Sequence, residues 1–225
     1  MINIISKSEY LKNNKKPSQE KVWNEISSSW RKYRSKEIIS VKSFLKNKKG
    51  KIIDIGCGSG RNMFYNENIE YTGIDFSEGQ LKEAKTHIKE NNIKAKLIKG
   101  KAENLSKIRD NYFDHGLFIA SLHCIETEIN RLKALKEFYR VLKPKAKALI
   151  TIWNSEDARF NNLKKEIYMS WKENNLFHMR YYYLFDRKEI KNLIEKTGFK
   201  ILKFKENKIG DRFERKNWII EVMKQ

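Results

Sequence analysis

The stretch from Lys51 to Gly60 constrains the fold of this chain more than any other part of the sequence. It begins as a short apolar run and ends in three glycines at alternate positions, Gly56, Gly58 and Gly60. The apolar run predicts a buried strand, and the glycines predict a tight turn whose backbone passes close to a bound ligand. Residues 62–66 are predicted to begin a helix, whose free N–H groups would face the same ligand. Strand, turn and helix together predict the first unit of a nucleotide-binding α/β fold.

The glycine spacing and two acidic residues indicate what kind of nucleotide is bound. A dinucleotide site has the pattern G-x-G-x-x-G, but here Arg61 stands where the third glycine would be needed. Asp54 would repel a pyrophosphate and suits a ligand that carries a positive charge and an amino group. Asp75 ends the next predicted strand, nineteen residues after Gly56, close to the ~20-residue offset at which a carboxylate binds ribose hydroxyls. The alternative, a glycine-rich turn with a solvated aspartate behind it, does not explain why these features follow in this order.

Strands and helices are predicted to alternate along the rest of the chain. Residues 1–16 are predicted as a short helix or a loose arm, and residues 18–33 and 38–44 as helices with one apolar face each. Further strands are predicted at 70–75, 95–98, 113–119 and 148–153, helices at 77–88, 129–142, 160–171 and 186–197, and a closing antiparallel pair at 199–204 and 218–222. This alternation predicts a parallel sheet with helices on both faces.

Composition limits the class of protein. A length of 225 residues predicts one domain with a terminal extension. Two cysteines, Cys57 and Cys124, are too few for a disulfide framework or a metal site, so a reduced, cytoplasmic protein is expected. No window approaches ~18 apolar residues and the N-terminus lacks a signal core, so neither a membrane span nor export is expected. The net charge of +20 favours a polyanionic partner such as RNA, although an AT-rich genome or a high growth temperature also produces lysine-rich surfaces.

Five motifs resemble, in order, those of the class I S-adenosylmethionine-dependent methyltransferases. They are residues 54–60 (D-I-G-C-G-S-G), 73–77, 111–114, 121–123 and 140–144. The resemblance implies a Rossmann-like seven-stranded sheet over residues 48–225, mostly parallel with the last strand antiparallel and helices on both faces. It also implies an N-terminal helical cap over residues 1–47, and S-adenosylmethionine as the cofactor. The residues expected to bind the cofactor are Asp54, Gly56, Cys57, Gly58, Gly60, Asp75, Phe76, Ala102, Glu103 and Ala120.

More particular segments are similar to the tRNA wobble-uridine carboxymethyl methyltransferases. These segments are Trp23–Ile26 with Tyr33–Arg34, Leu149–Trp153 with Glu156, Arg180–Phe185, and Arg215–Trp218. The resemblance implies methyl transfer to a carboxymethyl-type group on C5 of the uridine at tRNA position 34. It also implies two partners, the tRNA anticodon loop and a small zinc-containing activator protein.

The chain departs from the family pattern at three places. Lys145 and Ala146 replace an expected glycine pair, Lys101 replaces an acidic residue, and Cys124 replaces a second histidine. Glu103 can make the adenine contact in place of Lys101. These departures leave the fold assignment intact and bear on the adenine contact and the acceptor.

The chemistry of the acceptor determines which side chains are needed. A carboxylate is already ionised at neutral pH, so its methylation needs no general base, only a cation to hold it and alignment within ~3–3.5 Å. Arg34 and Arg180 are predicted to bind the acceptor carboxylate or the anticodon phosphates, and Arg34 has a second interpretation as a solvated helix residue. A hydroxyl acceptor would need a base such as His123, which otherwise forms a hydrogen-bonded pocket wall. Trp153 and Tyr181 are predicted to contact the substrate base.

Two other functions remain open from the sequence. A methyltransferase acting on a quinone, lipid or metabolite would share every cofactor motif. A non-catalytic RNA-binding protein on the same fold is the second alternative, and the intact glycine turn with Asp54 and Asp75 argues against it.

Overall fold

A computed structural model of the protein describes residues 3–208 and 216–225. Within these ranges the strands are β1 (Ile4–Ser6), β2 (Gly50–Ile55), β3 (Ile69–Asp75), β4 (Ala95–Lys99), β5 (Phe113–Ile119), β6 (Leu142–Ile152), β7 (Glu166–Glu173), β8 (Leu176–Tyr183), β9 (Phe199–Glu206) and β10 (Trp218–Lys224). The α-helices are α1 (Lys7–Asn13), α2 (Gln19–Glu25), α3 (Ser27–Tyr33), α4 (Ile39–Leu45), α5 (Glu78–Glu90), α6 (Glu128–Val141) and α7 (Arg187–Glu195). Arg215, which begins the last motif of the family resemblance, lies outside the described residues.

Seven strands form the central sheet in the order β4-β3-β2-β5-β6-β10-β9. Strand β10 runs antiparallel to both of its neighbours, and β2, β3, β4, β5 and β6 run parallel to one another. The predicted seven-stranded Rossmann-like sheet with an antiparallel last strand is therefore confirmed.

Helices cover both faces of this sheet, because successive side chains of a strand point in opposite directions. Ile53 and Ile55 pack into one apolar cluster with side chains of α6 and α7. Ile52 packs on the other face with side chains of α4 and α5. The two clusters bury the sheet on both sides, which explains why β2 reads as an almost continuous apolar run.

A second, antiparallel sheet has the strand order β1-β7-β8, and it corrects the helix predicted over residues 160–171. Residues 166–173 form β7 instead, and β8 pairs with it from Glu166↔Tyr183 to Glu173↔Leu176. The connection is the two-residue turn Asn174–Asn175, in which both residues have positive φ, 48° and 62°. Such a turn matches the twist of a tight hairpin, and asparagine adopts this backbone conformation more readily than most residues.

Two predictions about helices are also corrected. The helix expected at 62–66 is absent; residues 61–62 and 67–68 are turns, residues 63–66 between them have no regular structure, and β3 follows directly. Asparagines favour these turns by bonding to nearby backbone; the side chain of Asn66, for example, accepts from the Asn68 N–H at 2.9 Å. The single helix expected over 18–33 is two helices, α2 and α3, which meet at Ile26. Among the described residues no helix is long and apolar enough to cross a membrane.

Candidate active site

A cavity of about 430 Å³, here called the cofactor cavity, lies beyond the carboxyl ends of β2, β3, β4 and β5. This is the edge at which open α/β sheets bind ligands. Eight of the ten residues predicted to bind the cofactor line it: Gly56, Cys57, Gly58, Asp75, Phe76, Ala102, Glu103 and Ala120. Asp54 is fully buried at the end of β2, and Gly60 packs against Ala84 of α5.

The glycine turn is held at the cavity by contacts that exclude a side chain. Gly56 has φ of +66°, and a Cβ built on it would lie 2.5 Å from Cβ of Ser121. The Ser121 hydroxyl in turn donates to the carbonyl of Ile55 at 2.9 Å, so it ties the end of β2 to the residues that follow β5. Both the backbone conformation and this close approach therefore require glycine at position 56.

Asp75 shapes the turn and faces the cavity. Its two carboxylate oxygens accept from the backbone N–H groups of Gly58 and Ser77, each at 2.9 Å. Burial raises the pKa of Asp75 to about 6, although these hydrogen bonds act in the opposite direction. The carboxylate is thus fixed at the end of β3, where the sequence predicts that it binds ribose hydroxyls.

Asp54 adds a second buried carboxylate beneath the turn. It accepts from the side-chain amide of Asn62 at 3.1 Å. Burial raises its pKa to about 7, and the nearby charge of Asp75 contributes in the same direction. Two acidic groups at such pKa values are stabilised in their ionised form by a cationic ligand, so the residues fit a cofactor that carries an ammonium and a sulfonium.

Residues 16–20, here called the N-terminal segment, form the opposite wall of the cavity. Lys16 pairs with Glu126, and Glu20 pairs with Lys99 at 3.1 Å. Between these ion pairs, the side-chain amide of Gln19 donates to the carbonyl of Met179 at 3.1 Å and accepts from the N–H of Tyr181 at 2.9 Å. The wall of the cofactor cavity is therefore bonded directly to β8.

The two predicted arginines meet on one indole ring. The ring of Trp30 lines the cofactor cavity. The guanidinium of Arg34 lies 4.9 Å from the centre of this ring, and that of Arg180 lies 5.0 Å from it. Arg180 also lies 5.1 Å from the ring of Trp171. We call these four residues the arginine–aromatic cluster.

Arg180 is a buried cation in aromatic surroundings, with only 2% of its surface exposed. Its guanidinium donates to the hydroxyl of Tyr182 at 3.0 Å and to the carbonyl of Ser170 at 3.2 Å. In the part of the chain that the structure describes, no ion pair joins it to a carboxylate, and its Nε has no hydrogen-bond partner. Buried charges are normally paired, so this group is suited to an anionic ligand.

His123 lies behind the cavity wall and does not line the cavity. Its fully buried ring is 5.0 Å from that of Trp153 and 5.7 Å from that of Tyr182. Burial lowers its pKa to about 3, and neither ring nitrogen has a hydrogen-bond partner among the described residues. A neutral imidazole of such low pKa is a weak base at neutral pH.

Trp153 lies beside His123, whereas Tyr181 points away from Arg180 and from the predicted acceptor site. Trp153 stacks on Tyr182 with ring centres 4.1 Å apart. The hydroxyl of Tyr181 donates to Glu166 at 2.7 Å, on the face of the hairpin opposite to Arg180, because neighbouring residues of a strand point in opposite directions. Tyr182, which shares the face of Arg180, therefore takes the position that was predicted for Tyr181.

Several residues at the site were not predicted from the sequence: Gln19, Trp30, Ser121, Cys124, Trp171 and Tyr182. Tyr182 had a usable signal, since it lies two positions after Arg180 in a strand. Cys124 lines the cavity, and burial raises the pKa of its thiol to about 12 while the charge of Arg180 opposes this shift. In the described ranges no group of histidine, cysteine and carboxylate side chains could hold a metal ion.

Comparison with known proteins gives a consistent assignment. The profile of the family described as "Methyltransferase domain" matches residues 53–150. A tRNA (carboxymethyluridine(34)-5-O)-methyltransferase of Schizosaccharomyces pombe is 27% identical, over 88% of this chain and 92% of the relative. The enzyme of the same name from Arabidopsis thaliana is 33% identical over 51% of this chain, but the match spans only 26% of its own length.

Among solved structures, an S-adenosylmethionine-dependent methyltransferase from Clostridium acetobutylicum superposes with a TM-score of 0.64 and 16% identity, covering 96% of each chain. At this identity the likeness shows the fold alone. The matching domain profile indicates that the cofactor is S-adenosylmethionine. The glycine turn at the cavity and the acidic residues that end β2 and β3 agree with this assignment. Together these findings identify an S-adenosylmethionine-dependent methyltransferase domain with the class I fold, and the chain has distant similarity, at 27–33% identity, to tRNA carboxymethyluridine methyltransferases.

Proposed function

We propose that this enzyme methylates a carboxymethyl-type group on the wobble uridine of tRNA. The observation that carries the proposal is Arg180, a buried guanidinium that packs on Trp30 in the cavity wall and forms no ion pair with a carboxylate of the described residues. A carboxylate on the substrate would provide the missing negative charge. The activity of the S. pombe relative and the net charge of +20 support tRNA as the molecule that carries it.

In this proposal the arginine–aromatic cluster orients the acceptor. Arg180 binds the acceptor carboxylate with Nε and the outer edge of its guanidinium, while Trp30 and Trp171 fix the plane of that group by stacking. Arg34 approaches the same indole and binds the second carboxylate oxygen or the adjacent phosphate. Rigid placement of the acceptor matters because methyl transfer requires in-line approach within ~3–3.5 Å.

When bound, S-adenosylmethionine supplies a methyl group on a positively charged sulfur. A carboxylate oxygen held at this site would form the new bond to the methyl carbon as the carbon–sulfur bond breaks, and the electron pair would remain on sulfur. No proton moves in this step. Asp75 is proposed to hold the ribose, Asp54 to stabilise the positive end of the cofactor through the turn, and Phe76, Ala102 and Glu103 to contact the adenine.

The environment of His123 supports a carboxylate over a hydroxyl as the acceptor. A hydroxyl must lose its proton in the transition state, so its methylation needs a base of suitable pKa. Burial lowers the pKa of His123 to about 3, which makes it a poor proton acceptor. In our proposal His123 is a neutral packing group that positions Trp153 and Tyr182.

The proposed macromolecular partners are the tRNA anticodon loop and, by analogy with the family that the sequence resembles, a small zinc-containing activator protein. The assay below is therefore run with the purified enzyme alone and again with added extract from the native host.

The test is methylation of tRNA isolated from cells that lack wobble carboxymethyl esters. We expect incubation with the enzyme and S-adenosylmethionine to convert carboxymethyluridine to its methyl ester, measured by mass spectrometry of digested nucleosides. Arg180→Lys should reduce turnover by roughly 100-fold or more, because an ammonium cannot form the same fork and stack, while the cofactor dissociation constant stays within about two-fold.

A matched control is Arg131→Lys. Arg131 is also a buried arginine on an aromatic ring, 3.7 Å from the centre of Tyr183, but Tyr183 does not line the cofactor cavity, whereas Trp30, the ring next to Arg180, does. Its replacement should lower stability without lowering the turnover of the folded enzyme. Unchanged wobble nucleosides in the presence of bound cofactor, or methylation of a small molecule in their place, would contradict the proposal.

A further inference from the structure

The tip of the β7–β8 hairpin projects two large apolar side chains into solvent. Leu176 is 64% exposed and Phe177 is 61% exposed, and both follow the tight turn Asn174–Asn175. Isolated apolar side chains are common on protein surfaces, so exposure by itself does not define a site. What distinguishes this tip is its position on the strand that carries Arg180.

The tip is joined to the proposed acceptor site by one strand and a row of rings. Leu176 precedes Arg180 by four residues in β8 and shares its face, ~13 Å along the strand at ~3.3 Å per residue, and Phe177 lies on the opposite face of the tip. Trp171 contacts Arg180 at 5.1 Å and Tyr33 at 5.2 Å. Tyr33 is 41% exposed, so aromatic rings lead from the buried guanidinium to the surface near the hairpin.

Contacts to α2 and α3 hold the body of the hairpin in place. The indole N–H of Trp171 donates to the hydroxyl of Ser29 at 2.9 Å, and His178 lies 3.0 Å from the carboxylate of Glu25. The tip therefore projects from an anchored strand pair, at a fixed spacing from Arg180. A rigid arm of this kind can set the register of a bound chain relative to the reacting group.

The charges around the tip favour a polyanion. Lys172 pairs across the hairpin with Phe177, and Lys32 and Lys36 flank Tyr33; all three lysines are exposed. The acidic residues of this region are Glu173 at the tip, Glu25, which contacts His178, and Glu37, which pairs with Lys42. Among the described residues none of the three lysines forms an ion pair with them. Exposed rings interleaved with lysines are the combination that binds unpaired nucleotides, since bases stack on the rings and phosphates pair with the cations.

We propose that the tip of the β7–β8 hairpin is an RNA-contact surface that stacks on unpaired nucleotides next to the methylated uridine. The inference rests on the proposed function and deepens it, because it names the part of the enzyme that recognises the loop around the acceptor. Phe177 stacks on a base and Lys172, its cross-strand neighbour on the same face, pairs with a phosphate, while Leu176 packs against nucleotides on the other face, which it shares with Arg180.

The experiment measures binding of a fluorescent anticodon stem-loop RNA to the full chain. Phe177→Ala and Leu176→Ala should each weaken binding, and loss of one stacked base corresponds to roughly 5- to 150-fold in the dissociation constant. Phe177→Trp should retain the affinity, because it retains a stacking face. The control is Ile129→Ala, which removes an equally exposed apolar side chain (67%) from α6 and should leave binding unchanged.

A second readout separates this inference from the proposed function. Methylation of the free carboxymethyluridine nucleoside should be the same in wild type and in Phe177→Ala, since the nucleoside does not reach the tip. If the wild type methylates and binds the RNA but the folded tip variants bind it within two-fold of wild type, the inference is overturned and the function stands.

If the wild type neither binds nor methylates RNA, the inference and the proposed function both fail. If RNA binding is unchanged and only stimulation by a protein partner is lost, the surface belongs to that partner and the RNA assignment is wrong.

Discussion

At the scale of single residues, the two carboxylates under the glycine turn oppose folding when no cofactor is bound. Burial raises the pKa of Asp54 to about 7 and that of Asp75 to about 6, above the ~3.9 of an unfolded chain. Their contribution to stability is therefore fully present below pH ~4 and is lost as pH rises through 6 and 7. A cationic ligand compensates the charges that develop over this range.

The loss of stability as pH rises gives a prediction for cofactor binding. At a fixed concentration, S-adenosylmethionine should raise the melting temperature more at pH 8 than at pH 5.5, because the ionised carboxylates that it stabilises predominate at the higher pH. Asp54→Asn should raise the melting temperature of the free protein at pH 8 by at least ~3 °C and weaken cofactor binding. Differential scanning fluorimetry across this pH range measures both effects.

The control is Asp114, an aspartate whose pKa is lowered and not raised. Asp114 accepts from the N–H of Lys51 at 2.8 Å, and hydrogen bonds from Lys143 and Lys51 hold its pKa below the usual value despite partial burial. Asp114→Asn should therefore lower the melting temperature at pH 8. Cofactor-induced shifts that are equal at both pH values would contradict the role assigned to Asp54 and Asp75.

At the scale of secondary-structure elements, Gln19 connects cofactor binding to acceptor binding. Its amide bonds to the carbonyl of Met179 and the N–H of Tyr181, the backbone groups of the two residues that flank Arg180. The same residue lies in the wall of the cofactor cavity. The first turn of α2 thus acts as an additional edge partner of β8, and Gln19 is a positioning residue for Arg180.

Removal of this connection should affect turnover more than binding. Gln19→Ala is expected to lower kcat by about ten-fold, because a small displacement of the acceptor cation misaligns the reaction, with less than a three-fold change in the cofactor dissociation constant. Steady-state kinetics and calorimetry give the two values. Lys21→Ala, an exposed residue of the same helix, is the control. A change in melting temperature with no change in kcat would reduce Gln19 to a purely structural residue.

The elements that the sequence predicted well are those with a strong local pattern. The sequence predicts strand β5 at its observed bounds, 113–119, because the apolar run Leu117–Ile119, with Phe113 before it, lies between turn signals. The hairpin over 166–183 was missed in its first half, because Asn174–Asn175 was not recognised as a hairpin turn.

Contacts between distant parts of the chain could be predicted only in part. The sequence predicts roles for the arginines at 34 and 180, but their meeting on Trp30 depends on how α3 packs against the β7–β8 hairpin, which no local pattern encodes. Strand alternation places Tyr181 and Tyr183 on one face of β8, but it does not determine whether that face or the face of Tyr182 points toward the site. Gln19 has no sequence signal, because an amide that bonds to backbone resembles any polar helix residue.

At the scale of the whole molecule, the charge of +20 has two explanations that differ in where the charge acts. A compositional bias spreads lysines over the entire surface, so that any group of them contributes equally to RNA binding. A specific interface concentrates the effect where the RNA lies. Affinity for RNA alone does not separate these cases, because any strongly basic protein binds polyanions.

Two triple variants, each lacking three lysines, distinguish a compositional bias from a specific interface. One replaces by alanine Lys32 and Lys36, which flank Tyr33 in the sequence, and Lys172, which lies opposite Phe177 in the hairpin. The other replaces Lys200, Lys203 and Lys205, three exposed lysines of β9 at the edge of the central sheet. The measurement is the slope of log Kd against log salt for an anticodon stem-loop, which changes by ~0.7 for each contact to a single-stranded phosphate.

If the RNA lies along the hairpin, the first variant should lower the salt slope by up to ~2 and weaken binding, whereas the β9 variant should keep the wild-type slope. Net charge falls equally in both, so long-range attraction cannot account for a difference between them. Equal slopes in the two variants would mean that the charge acts without regard to position, and the basic surface would then reflect composition. A larger loss in the β9 variant would place the RNA on the far edge of the sheet, away from Arg180, which contradicts an acceptor site at the arginine–aromatic cluster.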